Sequence, residues 1–148
     1  MGQTLFPQST PDWLLTRGVL PRRLIAVVLD CILITLLGGV ATFLVTLLGI
    51  LTLGLGWLAL HVLPWLPLFY YTILIGSVGA TPGQRACGIA VRQDADLAPP
   101  TMAQALVWTV LLWVSFALGC IPFLLALVGP RHRAAHDLLS GLVLVRTP

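Results

Sequence analysis

The chain has 148 residues, 58% of them hydrophobic and 9% charged, where a soluble domain carries roughly 25% charged residues. Residues 31–84 and 97–130 hold no Asp, Glu, Lys or Arg, which excludes an ordinary water-soluble globule and points to an integral membrane protein. All eight cations are Arg against five Asp; this net +3 suits an anionic membrane face and not nucleic acid, and Cys31, Cys87 and Cys120 lack metal or redox spacing and read as small apolar fillers.

Residues 1–20 form an N-terminal cytoplasmic or interfacial segment. No cationic region leads into an apolar one, so no secretory signal is expected, and Phe6 stands where a myristoylation motif needs Ser or Thr. The membrane domain is expected over 21–148. Its first span, about 24–48, opens within PRRLIAVVLDCILITLL, where six apolar residues lead into Asp30. Arg23 and Asp30 are seven apart, two turns and ~10.5 Å along a helix, on nearly one face. Arg23 reaches the membrane edge, whereas Asp30 lies deeper, where a lone carboxylate costs at least ~2.5 kcal/mol. Asp30 therefore faces the protein interior and needs a cation, a hydrogen-bond donor or a proton. It is either a packing contact or an ion- or proton-binding carboxylate.

Gly49, Gly54 and Gly56 suit a turn, and the Gly38-Gly39 pair allows close approach without true GxxxG spacing. The second span is expected at about 57–78, bent near its start by Pro64 and Pro67. Trp57, Trp65, Tyr70 and Tyr71 mark interfaces or pack between helices, and His61 reads as an interfacial anchor. In ATPGQR, Thr81, Pro82 and Gly83 form a turn motif without the spacing of a phosphate loop. GIAVR then alternates like a short strand, and QDADLAPP is a loop.

The third block, about 102–129, has an apolar part of ~28 residues that would reach ~42 Å as one helix. It is interrupted at Gly119–Pro122. A single kinked crossing leaves Arg131, Arg133 and Arg146 outside. A fold-back brings every Arg to the cytoplasmic side, with the N-terminus and the 81–100 connection, and obeys the positive-inside rule. SGLVLVR alternates like GIAVR, and the two strands can pair if they share a side. The fold class is thus all-α integral membrane, with two full transmembrane helices, a third broken or re-entrant helical block and a small cytoplasmic β-ribbon.

His132 and His136 in HRAAHD share a helical face beside Asp137. Two imidazoles and one carboxylate flanked by Arg131 and Arg133 make a poor cation site, so no metal and no cofactor is expected. His136 reads as structural or interfacial, or as a group titrating near neutrality. Ser77, Ser115 and Ser140 have no basic partner at a suggestive spacing, and no enzyme is expected.

Three motifs in this order resemble the RDD family of small membrane proteins. RRLIAVVLD carries its opening signature at Arg23, Ala26 and Asp30, TPGQRACGIAV its Thr-Pro-Gly turn, and AAHDLLSGLVLV its terminal His-Asp motif at His136, Asp137 and Gly141. Gln84 stands where the family usually has Lys, with Arg85 one position later. Gln104 stands where an Arg often begins the third block, and Leu142 replaces a Thr. The resemblance implies an RDD-type fold and a transport-associated role, cation/proton antiport having been proposed for members.

From the residues, Arg23, Asp30, Arg85 and Asp137 sum to zero charge. They are expected to form one compensated network joining the first span, the TPG turn and the C-terminal motif. Two functions follow. One is a component of ion or small-solute transport with Asp30 as the exchangeable-charge site and Arg23, Asp137 and His136 around it. The other is a membrane scaffold or assembly partner in which the network is structural. The partners expected are the lipid bilayer and a homo-oligomer or unknown membrane partner. The location expected is the cytoplasmic membrane of a bacterium, by the Arg-rich, Lys-free composition, with the N-terminus cytoplasmic.

Overall fold

The computed structural model describes residue 16 and residues 18–119 and 135–147. Helix α1, Val19–Leu51, has 33 residues and so is ~50 Å long at ~1.5 Å per residue. It extends the expected first span at both ends. It starts early because Pro21 falls in the first turn, where its missing N–H has no intrahelical acceptor to lose. Gly18, with φ 72°, turns the chain into the helix.

The buried residues of its first half, Val19, Arg23, Ala26 and Asp30, follow 4-3-4 spacing and form a single stripe. Most of the rest of the helix carries exposed apolar side chains such as Leu36, Phe43 and Leu47.

The expected glycine turn closes α1. Thr52 Oγ1 donates to Leu48 O (2.7 Å) and accepts from the Gly56 amide (2.8 Å). The chain doubles back so tightly that a Cβ on Gly56 would sit 2.6 Å from Gly49 N. The second span differs from the expectation of one bent helix from residue 57. Leu55–Trp65 is a 3-10 helix of 11 residues containing Pro64, and α2 follows at Leu66–Val78. The cause is the proline pair. Pro64 cannot donate within an α-helix, whereas Pro67 sits in the first turn of α2, where no donor is needed. At ~2.0 Å per 3-10 residue and ~1.5 Å per α residue the two segments still reach ~42 Å. His61 is exposed on the 3-10 segment, its ring Nδ1 3.2 Å from Leu58 O.

Val19–Leu51 and Leu55–Val78 are each long and apolar enough to cross a membrane, and 11% of the most apolar stretch of each is buried. An exposed apolar surface on this scale is a liability in water and fits a lipid environment.

Gly79, with φ 76°, ends α2, and its carbonyl accepts from the Val91 amide at 2.7 Å. Between them lies the short helix α3, Pro82–Ala86. Strand β1, Ile89–Gln93, is one residue offset from the expected 88–92. Helix α4, Met102–Ala117, packs on α2 across Gly76, where a Cβ would lie 3.1 Å from Met102 Cα and 3.3 Å from Ala105 Cβ. The third block was expected to run to 129. Its described helix stops at Leu118 and Gly119, where φ is 67°, and the expected break through Cys120 and Pro122 lies outside the described residues. The chain is described again in α5, Ala135–Ser140, and in β2, Leu142–Arg146.

The strands β1 and β2 pair antiparallel, with Ile89 opposite Arg146 and Gln93 opposite Leu142. Residues 89–93 and 142–146 therefore lie at one end of the helices. The core is at this end, built on Ile75, Ile89, Trp108 and Leu142. A third block that only crossed the membrane would separate these strands by a bilayer thickness; one that returns does not. Single cysteines at positions 85 and 147, in a background with Cys31, Cys87 and Cys120 replaced by Ala, should label from the same face of sealed vesicles. Labelling from opposite faces would refute the pairing.

Candidate functional site

The site forms where the buried stripe of α1 meets two polar segments. The segment after α2 reads Thr81-Pro82-Gly83-Gln84. Thr81 caps α3, its Oγ1 accepting from the Gln84 amide at 3.2 Å while Gln84 Oε1 accepts from the Thr81 amide at 3.0 Å, a reciprocal capping box. Pro82 occupies the first turn and is exposed. The same Thr81 hydroxyl donates to Asp30 Oδ2 at 2.6 Å, and the Gly83 amide donates to Asp30 Oδ1 at 2.9 Å. Tyr70 of α2 adds its hydroxyl to Oδ1 at 2.8 Å. Asp30 is 1% exposed and is thus held by neutral donors.

Gly83 is required at its position. A Cβ there would lie 2.8 Å from both Asp30 Cγ and Oδ1 and would also meet the Ala26 carbonyl. Ala26, itself 1% exposed, is the small residue on the α1 side of the contact.

Two turns earlier on α1, Arg23 meets the C-terminal motif. Its guanidinium grips Asp137 through Nη1–Oδ2 at 2.6 Å and Nη2–Oδ1 at 3.1 Å. Trp108 Nε1 donates to Asp137 Oδ1 at 2.7 Å. Nη2 also faces His136 Nε2. A guanidinium has no acceptor, so Nε2 must be the unprotonated nitrogen, which assigns the ring proton to Nδ1. Nδ1 lies 3.3 Å from Ser115 Oγ, which in turn donates to Leu111 O at 2.8 Å. Trp108 stacks edge-on to the His136 ring at 5.2 Å.

Burial pushes His136 down to about 4; Asp137 pulls it up and Arg23 adds to the fall. For Asp137, burial acts to raise the pKa, but the Arg23 charge, His136 and the hydrogen bonds from Arg23 and Trp108 hold it below the usual carboxylate value. The pair sits in a nearly dry setting, with Arg23 5% exposed and Asp137 0%.

The structure therefore brings Arg23, His136 and Asp137 together, and Asp30 together with Thr81 and Gly83. It corrects the expected single network. Arg85 is exposed, and among the described residues it makes no ion pair. The reason is the length of α3. With Gly83 and Gln84 turned inward and buried, the next residue must point out. Asp30 accordingly has no arginine partner among the described contacts.

His132 lies outside the described residues. Ser115, for which no sequence spacing points to a basic partner, lies beside His136. Tyr70, Trp108 and Ser115 were missed as site residues. The available signal was the α4 stripe Ala105, Trp108, Thr109, Leu112 and Ser115, all buried. In an apolar helix the small and polar stripe marks the protein-facing side.

Between the two sets lies a crevice of ≈ 20 Å³, lined by Arg23, Asp30, Tyr71, Gln84, Trp108 and Leu112, among others. This is room for about one water. Among the described residues no group of three or more His, Cys, Asp or Glu is placed to hold a metal.

A family model described as RDD family matches residues 17–141, most of the chain. No curated protein and no solved structure matches it. The two Gln departures from the family pattern have a shared explanation. Gln84 and Gln104 are both the third helical residue of a Thr-capped box, the second with Thr101 as cap.

Two outcomes are expected of the site. Arg23→Gln and Asp137→Asn should each cost roughly 3–5 kcal/mol by stranding a buried partner, and the double variant should lose at least ~1 kcal/mol less than the sum. Strict additivity in unfolding measurements would rule out the direct pair. Stability should also fall as pH drops from 6.5 toward about 4, because the unfolded His136 ring takes a proton that the buried ring refuses. Below 3.8, Asp137 deepens the loss, since its folded value is the lower one. His136→Gln should flatten the 6.5-to-4 part of a stability–pH profile.

Proposed function

Since this chain belongs to the RDD family, we propose that it is a multi-pass protein of the cytoplasmic membrane, a membrane assembly partner whose buried charges clamp its cytoplasmic end. The observation that carries this is the double use of α1. One helix supplies Arg23 to the C-terminal motif and Asp30 to the Thr81–Gly83 turn. Two segments far apart in sequence are thereby fixed to a single rod. The hydrogen bonding around each carboxylate is dense and directional, as a structural lock requires.

Arginine placement supports the orientation. Arg22 and Arg23 lie in the first turns of α1, Arg85 and Arg92 follow the second span, and Arg146 lies on the strand paired with β1. All belong to one end, which the positive-inside rule assigns to the cytoplasm.

A second reading, a component of ion or small-solute transport, is favoured by one observation. The crevice touches both Arg23 and Asp30, so a proton or small ion entering it would meet the carboxylate. Its size, about one water, admits no larger solute, and transport on this reading needs a second copy or another membrane protein to complete a passage.

Purified protein in liposomes distinguishes the two. The clamp predicts no sodium- or potassium-dependent proton movement above empty liposomes, and an Asp30→Asn variant that is destabilised by ~1–3 kcal/mol. Cation-dependent proton flux that Asp30→Asn abolishes in a still-folded protein would overturn the clamp as the whole function and establish the second reading.

A further inference from the structure

Outside the clamp, a separate set of arginines gathers around the turn that joins α3 to β1. Arg22, one turn into α1, donates from Nη1 to Cys87 O at 2.7 Å. The next residue, Gly88, has φ +62°, and a Cβ there would stand 3.0 Å from the same Nη1. Gly88 O accepts from the Thr147 amide at 3.0 Å, which places Arg146 beside this turn, opposite Ile89. Arg85 stands two residues before Cys87 in sequence, and its carbonyl accepts from the Gly88 amide at 3.0 Å. Arg22 thus reaches this turn with its side chain, and the backbone places Arg85 and Arg146 beside it. Arg85 and Arg146 are exposed, while Arg22 is half-buried and fixed.

Among the described residues, no acidic side chain pairs with Arg22, Arg85 or Arg146. Asp94 and Asp96 lie past the opposite end of the ribbon, where the Asp94 amide bonds Gly141 O. At ~3.3 Å per residue they are roughly 16 Å or more along β1 from Ile89, beyond a Debye length at physiological salt. The buried carboxylates, Asp30 and Asp137, are 1% and 0% exposed and committed to their own donors.

The cluster also borders the apolar band. Ile25, Ile32 and Leu36, inward of Arg22 and on its side of α1, are 56%, 59% and 64% exposed. A basic group at the rim of a lipid-facing surface matches an amphiphile with an anionic head and an apolar tail.

We propose that Arg22, Arg85 and Arg146 form a binding site for the phosphodiester headgroup of an anionic phospholipid, whose acyl chains lie along the exposed face of α1 beginning at Ile25. Arg22, already oriented by Cys87 O, supplies a fixed donor. Arg85 and Arg146 supply charge from two sides. The site goes beyond the clamp and uses none of its residues; it requires only that the chain sit in a bilayer.

The test uses the full chain, delipidated in neutral detergent and titrated with phosphatidylglycerol, with phosphatidylcholine or with inorganic phosphate, with bound lipid counted by native mass spectrometry. An exposed arginine at an anionic surface contributes about fivefold in affinity, so Arg85→Gln/Arg146→Gln should weaken phosphatidylglycerol binding roughly 25-fold and leave phosphatidylcholine unchanged. Both side chains are exposed, so the thermal midpoint of the double variant should match that of the parent. Arg85→Lys/Arg146→Lys should keep most of the preference. Equal retention of the two lipids by the parent, an undiminished phosphatidylglycerol preference in the Gln variant, or displacement of the lipid by millimolar inorganic phosphate would each overturn the proposal.

Discussion

Two ionisable side chains on one apolar helix set the terms for everything at the packed end of this molecule. A bilayer offers no water to solvate Arg23 or Asp30, and leaving either unpaired would cost several kcal/mol. The chain meets this need with two different solutions. Arg23 receives a full charge partner in a two-pronged pair with Asp137. Asp30 receives hydroxyl and amide donors from Tyr70, Thr81 and Gly83. Each solution draws in one segment. The C-terminal helix and its strand come back to α1 because Asp137 is needed there, and the connection after α2 presses onto α1 because its donors are needed there.

The second solution imposes a geometric demand that the first does not. A guanidinium reaches its partner along a flexible stem, but a backbone amide reaches a carboxylate only if the backbone itself comes close. That is why the turn contains Gly83, whose missing Cβ leaves space for the Asp30 carboxylate, and why Ala26 lies one turn before Asp30 on the same stripe. Thr81 then serves two neighbours with one hydroxyl, accepting from Gln84 while donating to Asp30. A capping box is usually a local device for starting a helix. Here it also aims a donor at a buried charge, so helix initiation and charge satisfaction are one structure.

What was legible in the sequence was whatever repeats locally or conflicts locally with its surroundings. Asp30 stood out because it interrupts an apolar run, and Arg23 because seven residues make two turns. The alternation in GIAVR and SGLVLVR announced strands, and their pairing followed once both were placed at one end. The glycine turn before Trp57 was equally plain. The partners were not legible, because long-range contacts leave no spacing. Arg85 was expected to balance Asp30 by counting charges, and counting ignores that a five-residue helix with two residues turned inward must turn the next one out. Trp108 and Ser115 were hidden by a similar habit. In water an apolar residue signals the interior, but on a lipid-facing helix most apolar residues face out, and the buried face of α4 carries its polar Thr109 and Ser115 together with Ala105, Trp108 and Leu112. The 3-10 segment was missed for a further reason. The prolines signalled a disturbance, but propensity alone does not say whether a helix will bend at Pro64 or rewind ahead of it.

These interactions are spread unevenly along the helices, and that asymmetry carries a mechanical consequence. Through Asp30, α1 buries one residue every three or four positions. Beyond that point its only buried residue is Gly49, held under Trp57 at the turn. Gly38 and Gly39 on that stretch have nothing within 4 Å of where a Cβ would stand. Helices in lipid gain little from apolar burial against one another, since the acyl chains are equally apolar; polar contacts and close packing hold them together. Those contacts are concentrated at the Arg23–Asp137 and Asp30–Thr81 end. The first hairpin is thus tied at its base by charge and at its tip by the Gly49–Gly56 contact, with a weakly packed middle. Free energy for separating helices is lowest where buried contacts are fewest, so relative motion of the first two spans belongs to that middle, while the charged end acts as the fixed point about which it occurs.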